Sequence, residues 1–234
     1  MGGVVEIAGA ILSRAFERSE VAAQNLTNMT TPGYKARQWF PASMADAAAS
    51  SAKGSAQTNE SIDFSPGKFQ NTGSAFDLAI SGAGFFAVRS DQDTFYTRDG
   101  QFSRGADGKI VTADGLALQS ATGGDIAVSG NNPKILSDGT VLDNGQPVAH
   151  VGVVDFSDLK SLHSAGAGRF TAPSDDAETA SATIHQGMLE ASNVSTADQM
   201  IAIMAALRSA ESGQKIVQMY DDMMGQAISA FGQT

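Results

Sequence analysis

The sequence predicts an α+β protein in which helices from both ends of the chain form one domain and the middle forms another. Three observations predict it: apolar residues at helical spacing near each end, Asp-Gly and Asn-Gly dipeptides between them, and short β-prone runs around those dipeptides. We expect a discontinuous, coiled-coil-like helical domain from 1–40 with 184–234. An extended Ala/Ser-rich linker is expected over 41–73 and a mostly antiparallel β-domain over 74–183.

The first thirty residues follow a heptad pattern, in which seven of the eight a and d positions are apolar. So narrow a seam is typical of coiled-coil packing, and Ala at the early d positions would let another helix approach closely. Pro32-Gly33 is expected to end the helix, because Pro lacks the amide donor. The predicted assembly-interface residues of this segment are Val5, Ala8, Leu12, Ala15, Ala22, Leu26 and Met29.

A second helix is expected from about Thr196 to near Phe231. It begins at a capping-box-like Ser195-Thr196-Ala197-Asp198 and continues as an unbroken series of apolar or Gly residues at 3–4 spacing. Gly213, a member of this series, lies in the middle of the helix and costs about 1 kcal/mol relative to Ala. The predicted interface residues here are Ile203, Ala206, Leu207, Ala210, Val217, Tyr220 and Met224.

The two helices could pair as a hairpin inside one chain, or they could pack against several neighbouring chains. Apolar residues lie all round the C-terminal helix, beyond the reach of one partner helix. Those outside the main seam are Met200, Ile201, Met204, Leu207, Ile216, Met219, Met223 and Ile228. This breadth favours assembly.

The middle of the chain has the pattern of short strands joined by tight turns. The turn dipeptides stand at 99–100, 107–108, 114–115, 138–139 and 144–145, and the β-prone runs at 77–80, 85–88, 94–97 and 151–154.

Composition excludes several function classes. The net charge is −10, and residues 41–183 carry nine basic and seventeen acidic groups without a basic cluster, so nucleic acid is not an expected partner. No segment has the length of a transmembrane helix, and direct membrane insertion is not expected. Charged residues interrupt the N-terminal apolar run, so a cleaved signal peptide is not expected. The chain has no cysteine, which excludes disulfides and thiolate chemistry.

The best enzymatic candidate is Gly82-Ala83-Gly84-Phe85-Phe86-Ala87, which fits a loose dinucleotide fingerprint. That mechanism needs a helix to begin there, whereas the residues that follow have a strand pattern. A Gly-rich β-turn is the favoured interpretation, and a dinucleotide-binding enzyme is the remote alternative. A secreted adhesin-like β-protein is disfavoured by the two helical ends. No catalytic residue, cofactor or metal is predicted.

Three motifs are recognisable in the sequence: the first lies within Ala23–Lys35, the second covers 73–86 and 96–102, and the third lies within 187–194. They resemble the motifs of the flagellar basal-body rod and hook protein family. They occur in the family's order and span almost the whole chain. The motif residues are Asn25, Leu26, Asn28, Thr31, Pro32, Gly33, Tyr34, Gly187, Leu189, Glu190, Ser192, Asn193 and Val194.

The resemblance implies a structural subunit without enzymatic activity. It implies export through the flagellar type III apparatus without a cleaved signal peptide, and polymerisation with copies of itself and other axial proteins into the periplasmic rod. Helices from both termini would form an inner tube that transmits torque, with the β-domain outside. The short linker and modest β-domain look more like a proximal rod member; a distal rod or hook-type member is the alternative.

Overall fold

The computed structural model describes residues 3–40, 60–90, 93–130, 132–173, 177–180 and 182–231. Helix α1 covers Gly3–Thr27 and helix α2 covers Thr196–Phe231, with antiparallel strands between them. The predicted α+β class is therefore confirmed. Most of the predicted linker, 41–59, lies outside the described residues.

The strands are short, from two to five residues. They are β1 (Arg37–Trp39), β2 (Glu60–Ile62), β3 (Phe69–Asn71), β4 (Leu78–Ser81), β5 (Phe85–Arg89), β6 (Thr94–Thr97), β7 (Phe102–Arg104), β8 (Ile110–Thr112), β9 (Ala117–Leu118), β10 (Lys134–Ile135), β11 (Thr140–Asp143), β12 (Gln146–His150), β13 (Val153–Phe156), β14 (His163–Gly166), β15 (Arg169–Thr171), β16 (Ala177–Thr179), β17 (Thr183–Gln186) and β18 (Met188–Glu190).

The chain divides into two compact units. The helical unit contains Met1–Met29, Arg37–Asp63 and Val194–Thr234, and the β-unit contains Thr30–Ala36 and Phe64–Asn193. These boundaries differ from the predicted ones at three places. Thr30–Ala36, predicted as part of the helical domain, belongs to the β-unit. Residues 64–73, predicted as linker, include β3, and residues 184–193, predicted as part of the helical domain, include most of β17 and all of β18. The reason is strand pairing: β3 pairs with β18 and β4 with β17.

In the helical unit α1 and α2 run antiparallel. Near the end of α1, Asn25 Nδ2 donates to Gln199 Oε1 at 3.1 Å, close to the start of α2. Gly213, farther along α2, lies instead against Ala8 and Leu12 near the start of α1. The C-terminal end of α1 thus meets the N-terminal end of α2.

Asn25 also fixes the first strand of the helical unit. Its side chain is buried; Oδ1 accepts from the Arg37 amide at 2.8 Å, and Nδ2 donates to the Arg37 carbonyl at 2.7 Å. A buried amide that meets its donors and acceptors in this way fixes one backbone geometry. It holds β1, which pairs with β2, against the last turn of α1.

The end of α1 differs from the prediction. The helix stops at Thr27, before Pro32, where the Thr27 and Asn28 side chains donate to the carbonyls of Ala23 and Gln24 at 2.9 and 2.8 Å. Those carbonyls belong to the last turn, where a helix needs outside donors. Gly33, which has a φ of 65°, serves another purpose in the β-unit: a Cβ there would lie 2.2 Å from the carbonyl carbon of Arg98.

The β-unit is built from antiparallel pairings around β5. Within the described residues the main path runs β14-β15-β6-β5-β9-β8-β7, and β13 pairs with β5 and β16. Strands β10, β11 and β12 form a separate sheet. One apolar core lies in this unit, comprising Leu78, Ile80, Phe86, Val88, Phe102, Ile110, Leu116, Leu118, Ile126, Val128, Ile135, Val141, Val151, Val153 and Ile184.

Most of the predicted turns form as expected. Asn144 and Gly145 have φ values of 51° and 82° and join β11 to β12 in a two-residue hairpin, the geometry that Asn-Gly favours. The prediction for Asp99-Gly100 is wrong, since Gly100 does not have positive φ. Gly is needed there for a different reason: a Cβ would lie 1.6 Å from the Leu78 carbonyl oxygen.

A buried ion cluster joins distant parts of the β-unit. Glu190 Oε1 accepts from Lys35 Nζ at 2.6 Å and from the Gly67 amide at 2.9 Å, and Arg98 Nη1 donates to Oε2 at 3.3 Å. The side chains of Lys35 and Glu190 are each 1% exposed. The backbone is fastened at the same place, because the Gly33 amide donates to the Glu190 carbonyl at 2.7 Å.

The cluster holds two cations and one anion. Backbone carbonyls accept further hydrogens from both cations, whereas the buried Nε of Arg98 has no hydrogen-bond partner among the described residues. Lys35 Nζ donates to the Ser65 carbonyl at 2.9 Å, and Arg98 Nη2 donates to the Gly82 carbonyl at 2.7 Å. The Arg98 guanidinium also stands 5.3 Å from the Phe85 ring centroid. Burial lowers the pKa of Arg98, and the nearby Glu190 carboxylate opposes that shift.

We predict that Glu190→Gln destabilises the β-unit by about 3–5 kcal/mol, because it leaves two buried cations without their carboxylate. Urea unfolding followed by far-UV circular dichroism measures the change. Glu178→Gln is the matched control, since Glu178 is exposed on β16, and it should stay within about 0.5 kcal/mol of wild type. Equal unfolding midpoints for both variants would contradict the cluster's role.

A second prediction concerns pH. Burial raises the pKa of Asp99, and the negative charges of Asp77 and Asp114 add to the shift. The folded state then binds the proton more tightly than the unfolded state, so stability falls as pH rises from the ordinary Asp pKa to the raised one. Asp99→Asn should increase stability at pH 7 and remove that part of the pH dependence.

Asp138 serves as the control, because its pKa is shifted in the opposite direction from that of Asp99. Hydrogen bonds from the Thr140 amide and hydroxyl, at 2.9 and 3.0 Å, lower the pKa of Asp138. Its contribution is present above the ordinary Asp pKa and is lost as pH falls through the lowered one. Asp138→Asn should therefore decrease stability at pH 7. Chemical unfolding between pH 3 and pH 8 tests both variants, and the same sign for both would refute the assignment.

Candidate functional site

The contact between α1 and α2 is made by small residues. Ala8, Ala15 and Ala22 of α1 and Ala206 of α2 are all buried. Gly213 belongs to the same contact: a Cβ there would lie 3.2 Å from Leu12 Cγ and 3.4 Å from the Ala8 carbonyl oxygen. Gly213 thus lowers the helix propensity of α2, but its lack of a Cβ lets the two helices approach closely.

The predicted interface residues fall into three groups in the folded chain. Ala8, Ala15, Ala22 and Ala206 are buried between the helices. Half-buried positions are Leu12, Leu26, Ile203, Ala210, Val217 and Tyr220. Exposed positions are Val5, Met29, Leu207 and Met224. The hairpin and the broad apolar surface, which the sequence offered as alternatives, thus occur together.

Large apolar side chains remain exposed on both helices after they pair. Leu207 is 55% exposed and Phe16 is 67% exposed. An apolar surface of this breadth on a folded chain is typical of protein interaction sites. The full set on the helices is Val4, Val5, Ile7, Phe16, Met200, Ile201, Met204, Leu207, Met219, Met223, Met224 and Ile228, and we call it the exposed apolar surface.

The end of α2 extends beyond α1. The contacts of Gly213 with Ala8 and Leu12 place Gly3, the first described residue of α1, level with about residue 220 of an antiparallel α2. Residues 221–229, here called the overhang, are all exposed. This segment has no helix beside it among the described residues of the helical unit.

The three family-like motifs supply the buried residues of the β-unit cluster. Gly33, Tyr34, Leu189 and Glu190 are buried, and Asn193 Oδ1 accepts from the Ala36 amide at 2.7 Å. Half-buried motif residues are Asn28, Thr31, Pro32, Gly187, Ser192, Asn193 and Val194. In this unit the motif residues position the backbone.

Sequence reasoning missed two members of that cluster, Lys35 and Arg98. Both stand inside the motifs, at the end of Thr-Pro-Gly-Tyr-Lys and in the middle of Tyr-Thr-Arg-Asp-Gly. A Lys or Arg among buried strands needs a carboxylate partner. The presence of these two cations inside the motifs could therefore have indicated a buried ion cluster.

The helical unit also has a groove that the sequence did not indicate. It has a volume of about 440 Å³ and is lined by Ile11, Arg14, Ala15, Arg18, Trp39 and Ser209. The Arg18 guanidinium stands 5.6 Å from the Trp39 ring centroid. An apolar floor with two Arg side chains can accept an acidic group on an apolar carrier.

The dinucleotide alternative for Gly82–Ala87 is wrong. Gly82 and Gly84 have φ values of 111° and 115° and form the turn between β4 and β5, so a strand follows where that mechanism needs a helix N-terminus. Among the described residues, no group of three His, Asp or Glu side chains could hold a metal ion. Neither α1 nor α2, as far as the structure describes them, is both long and apolar enough to cross a bilayer.

Two family models match the chain. Residues 79–145 match the D1 domain of the flagellar hook protein FlgE/F/G, and residues 185–230 match the C-terminal part of the flagellar basal-body rod FlgEFG proteins. The first lies in the β-unit, and the second runs from β17 to the end of α2.

Known relatives agree with these matches. The flagellar basal-body rod protein FlgF of Caulobacter vibrioides is 30% identical over 224 residues, which cover 91% of each chain. FlgF of Mesorhizobium japonicum is 25% identical and covers 92% of each chain. The rod protein FlgG of Bacillus subtilis is 28% identical over 68% of this chain and 67% of its own. The chain belongs to the flagellar basal-body rod protein family, a family of structural proteins.

Proposed function

We propose that this chain is a proximal rod subunit that polymerises through α1 and α2 into the axial drive shaft of the flagellar basal body, where it transmits torque. Its partners are copies of itself and other axial proteins. The observation that carries the proposal is the exposed apolar surface, which remains after α1 and α2 have paired. An assembly that bears torque needs many apolar contacts between its subunits, because each single contact is weak.

Energetics favour a packed helical assembly over a free subunit. Burying a Leu, Ile, Met or Phe side chain stabilises by about 1.5–3 kcal/mol. The exposed apolar surface has twelve large side chains, enough to offset the entropy lost when subunits associate. The heptad seam of α1 supports coiled-coil-like packing among these helices.

The relatives support a proximal position. FlgF proteins from Caulobacter vibrioides and Mesorhizobium japonicum align over more than nine-tenths of both chains. FlgG of Bacillus subtilis aligns over about two-thirds. A distal rod or hook-type role is the alternative, because the matching family models describe all three kinds of protein.

The proposal includes export through the flagellar type III apparatus to the rod in the periplasm. Because α1 supplies Val4, Val5, Ile7 and Phe16 to the exposed apolar surface, export must keep this helix in the mature chain. That requirement agrees with the expectation that no signal peptide is cleaved.

We predict that Leu207→Asp leaves a stable subunit that does not assemble. The side chain is 55% exposed in the free chain, so the fold should lose less than about 0.5 kcal/mol. In a rod the new carboxylate would be buried without a partner, at a cost of several kcal/mol in each copy. Swimming and rod completion measure assembly, and urea unfolding of the purified subunit measures stability.

Val148→Asp is the matched control, because Val148 is 48% exposed and lies on β12 in the β-unit. It makes the same chemical change away from the helices and should permit rods to form. If Leu207→Asp cells swim normally, assembly through α2 is refuted. If the variant unfolds instead, the residue serves the fold of the monomer.

Hydrogen exchange supplies an independent prediction. In the free subunit, the overhang should exchange its amide hydrogens faster than residues 199–217, which face α1, because an unsupported helix end frays. In isolated rods both segments should be protected. Equal protection of the overhang in subunit and rod would contradict a role in assembly.

A further inference from the structure

We propose that the overhang of one copy docks, by its acidic face, in the groove on the helical unit of a second copy. The inference rests on the proposed function and deepens it, because it names the two surfaces that meet. It starts from two features of the helical unit with complementary charge: two Arg side chains in the groove, and two Asp side chains on the overhang.

The overhang is amphipathic. At 100° per residue, Asp221, Asp222, Gly225 and Ser229 share one face, and Met223, Met224 and Ala227 share the opposite one. The first face is acidic and small. A Cβ added at Gly225 would meet no atom within 4 Å, so the absence of a side chain there serves no contact inside the subunit.

The groove has the complementary character. Arg14 and Arg18 are one helical turn apart on α1, and neither forms an ion pair within 4.0 Å among the described residues. Ile11, Ala15 and Trp39 supply apolar walls. Glu17 contacts a lining residue, because its Oε2 accepts from Trp39 Nε1 at 3.3 Å. This single carboxylate leaves the two guanidinium groups with an excess of positive charge.

The two features cannot meet within one copy. In the antiparallel pair Arg14 and Arg18 lie level with about residues 203–211 of α2, which places the Asp pair about 15–30 Å farther along the axis at 1.5 Å per residue. A contact between them must join two copies. It is heterologous, since different surfaces meet, and a heterologous contact that does not close into a ring generates a helical polymer.

Gly225 permits a close docking, because it lies at an angle between the two Asp side chains and about one helical turn beyond them. With no Cβ at Gly225, the overhang backbone can approach Trp39 while the carboxylates, one turn earlier, reach Arg14 and Arg18. Charge-assisted Arg–carboxylate bonds then fix the axial position of one copy on the next. The Met face of the overhang remains available to other helices.

The chain has no cysteine, so single cysteines can be placed without background. We would introduce Ser209→Cys in the groove and Ser229→Cys on the overhang in separate full-length chains, which leaves every charge in place. Both chains are expressed together in flagellated cells that lack their own copy, and a short thiol-specific linker is added. We expect cross-linked dimers from the mixture and none from either chain alone.

Gly225→Leu tests the close approach. The substitution has open space in the subunit, and Leu is a better helix former than Gly, so the fold should not suffer. We expect at least a tenfold loss of cross-linked dimer, while Gly225→Ala loses far less. Equal dimer yields for wild type and Gly225→Leu would overturn the proposal.

Charge reversal tests the pairing. Asp221→Lys with Asp222→Lys in the chain that carries Ser229→Cys should abolish cross-linking, and Arg14→Glu with Arg18→Glu in the chain that carries Ser209→Cys should restore it at least in part. If rods form but neither reversal changes the dimer, this docking is wrong and the proposed function stands. Cross-linking of the overhang to a different axial protein also overturns it. If wild-type chains form no rods and Leu207→Asp changes nothing, the proposed function itself fails.

Discussion

The architecture of the β-unit depends on the removal of one carboxylate from water. Glu190 is 1% exposed and must find its partners inside the protein. Those partners are Lys35, Arg98 and the Gly67 amide, which come from three separate parts of the chain. In a fold that placed one of these segments elsewhere, a buried charge would lack its partner. The ion cluster therefore selects a single arrangement, whereas apolar contacts alone would tolerate several.

The helical unit follows a different physical rule. Ala8, Ala15 and Gly213 bring α1 and α2 close together, and Leu12 and Ile203 are half-buried. Leu207 and Phe16 remain turned toward solvent. Small residues thus set the spacing of the two helices, and part of the large apolar area stays exposed after they pair. The β-unit, by contrast, buries its large apolar residues in a core of its own.

Sequence reasoning succeeded where the signal was local. The heptad pattern of α1, the capping box at Ser195 and the Asn144-Gly145 turn each lie within a few residues, and each was found. It failed for β3 and β18, which have three residues each and pair Asn71 with Met188 across more than a hundred positions. Neither strand carries an alternating pattern long enough to detect. The exposed apolar surface could be anticipated from the breadth of apolar residues round α2, but the groove beside Trp39 depends on tertiary placement alone.

The first and last segments of the β-unit are fastened together. The Gly33 amide donates to the Glu190 carbonyl at 2.7 Å, and the Asn193 amide donates to the Tyr34 carbonyl at 3.4 Å, so these segments lie side by side. They form a clamped stem for the unit, and the chain passes through 37–63 of the helical unit between Ala36 and Phe64. The unit's loops and strands can grow, shrink or be exchanged for another domain while the spacing of the stem's two ends stays fixed. A protein with this stem can therefore carry a different β-unit without redesign of its helices.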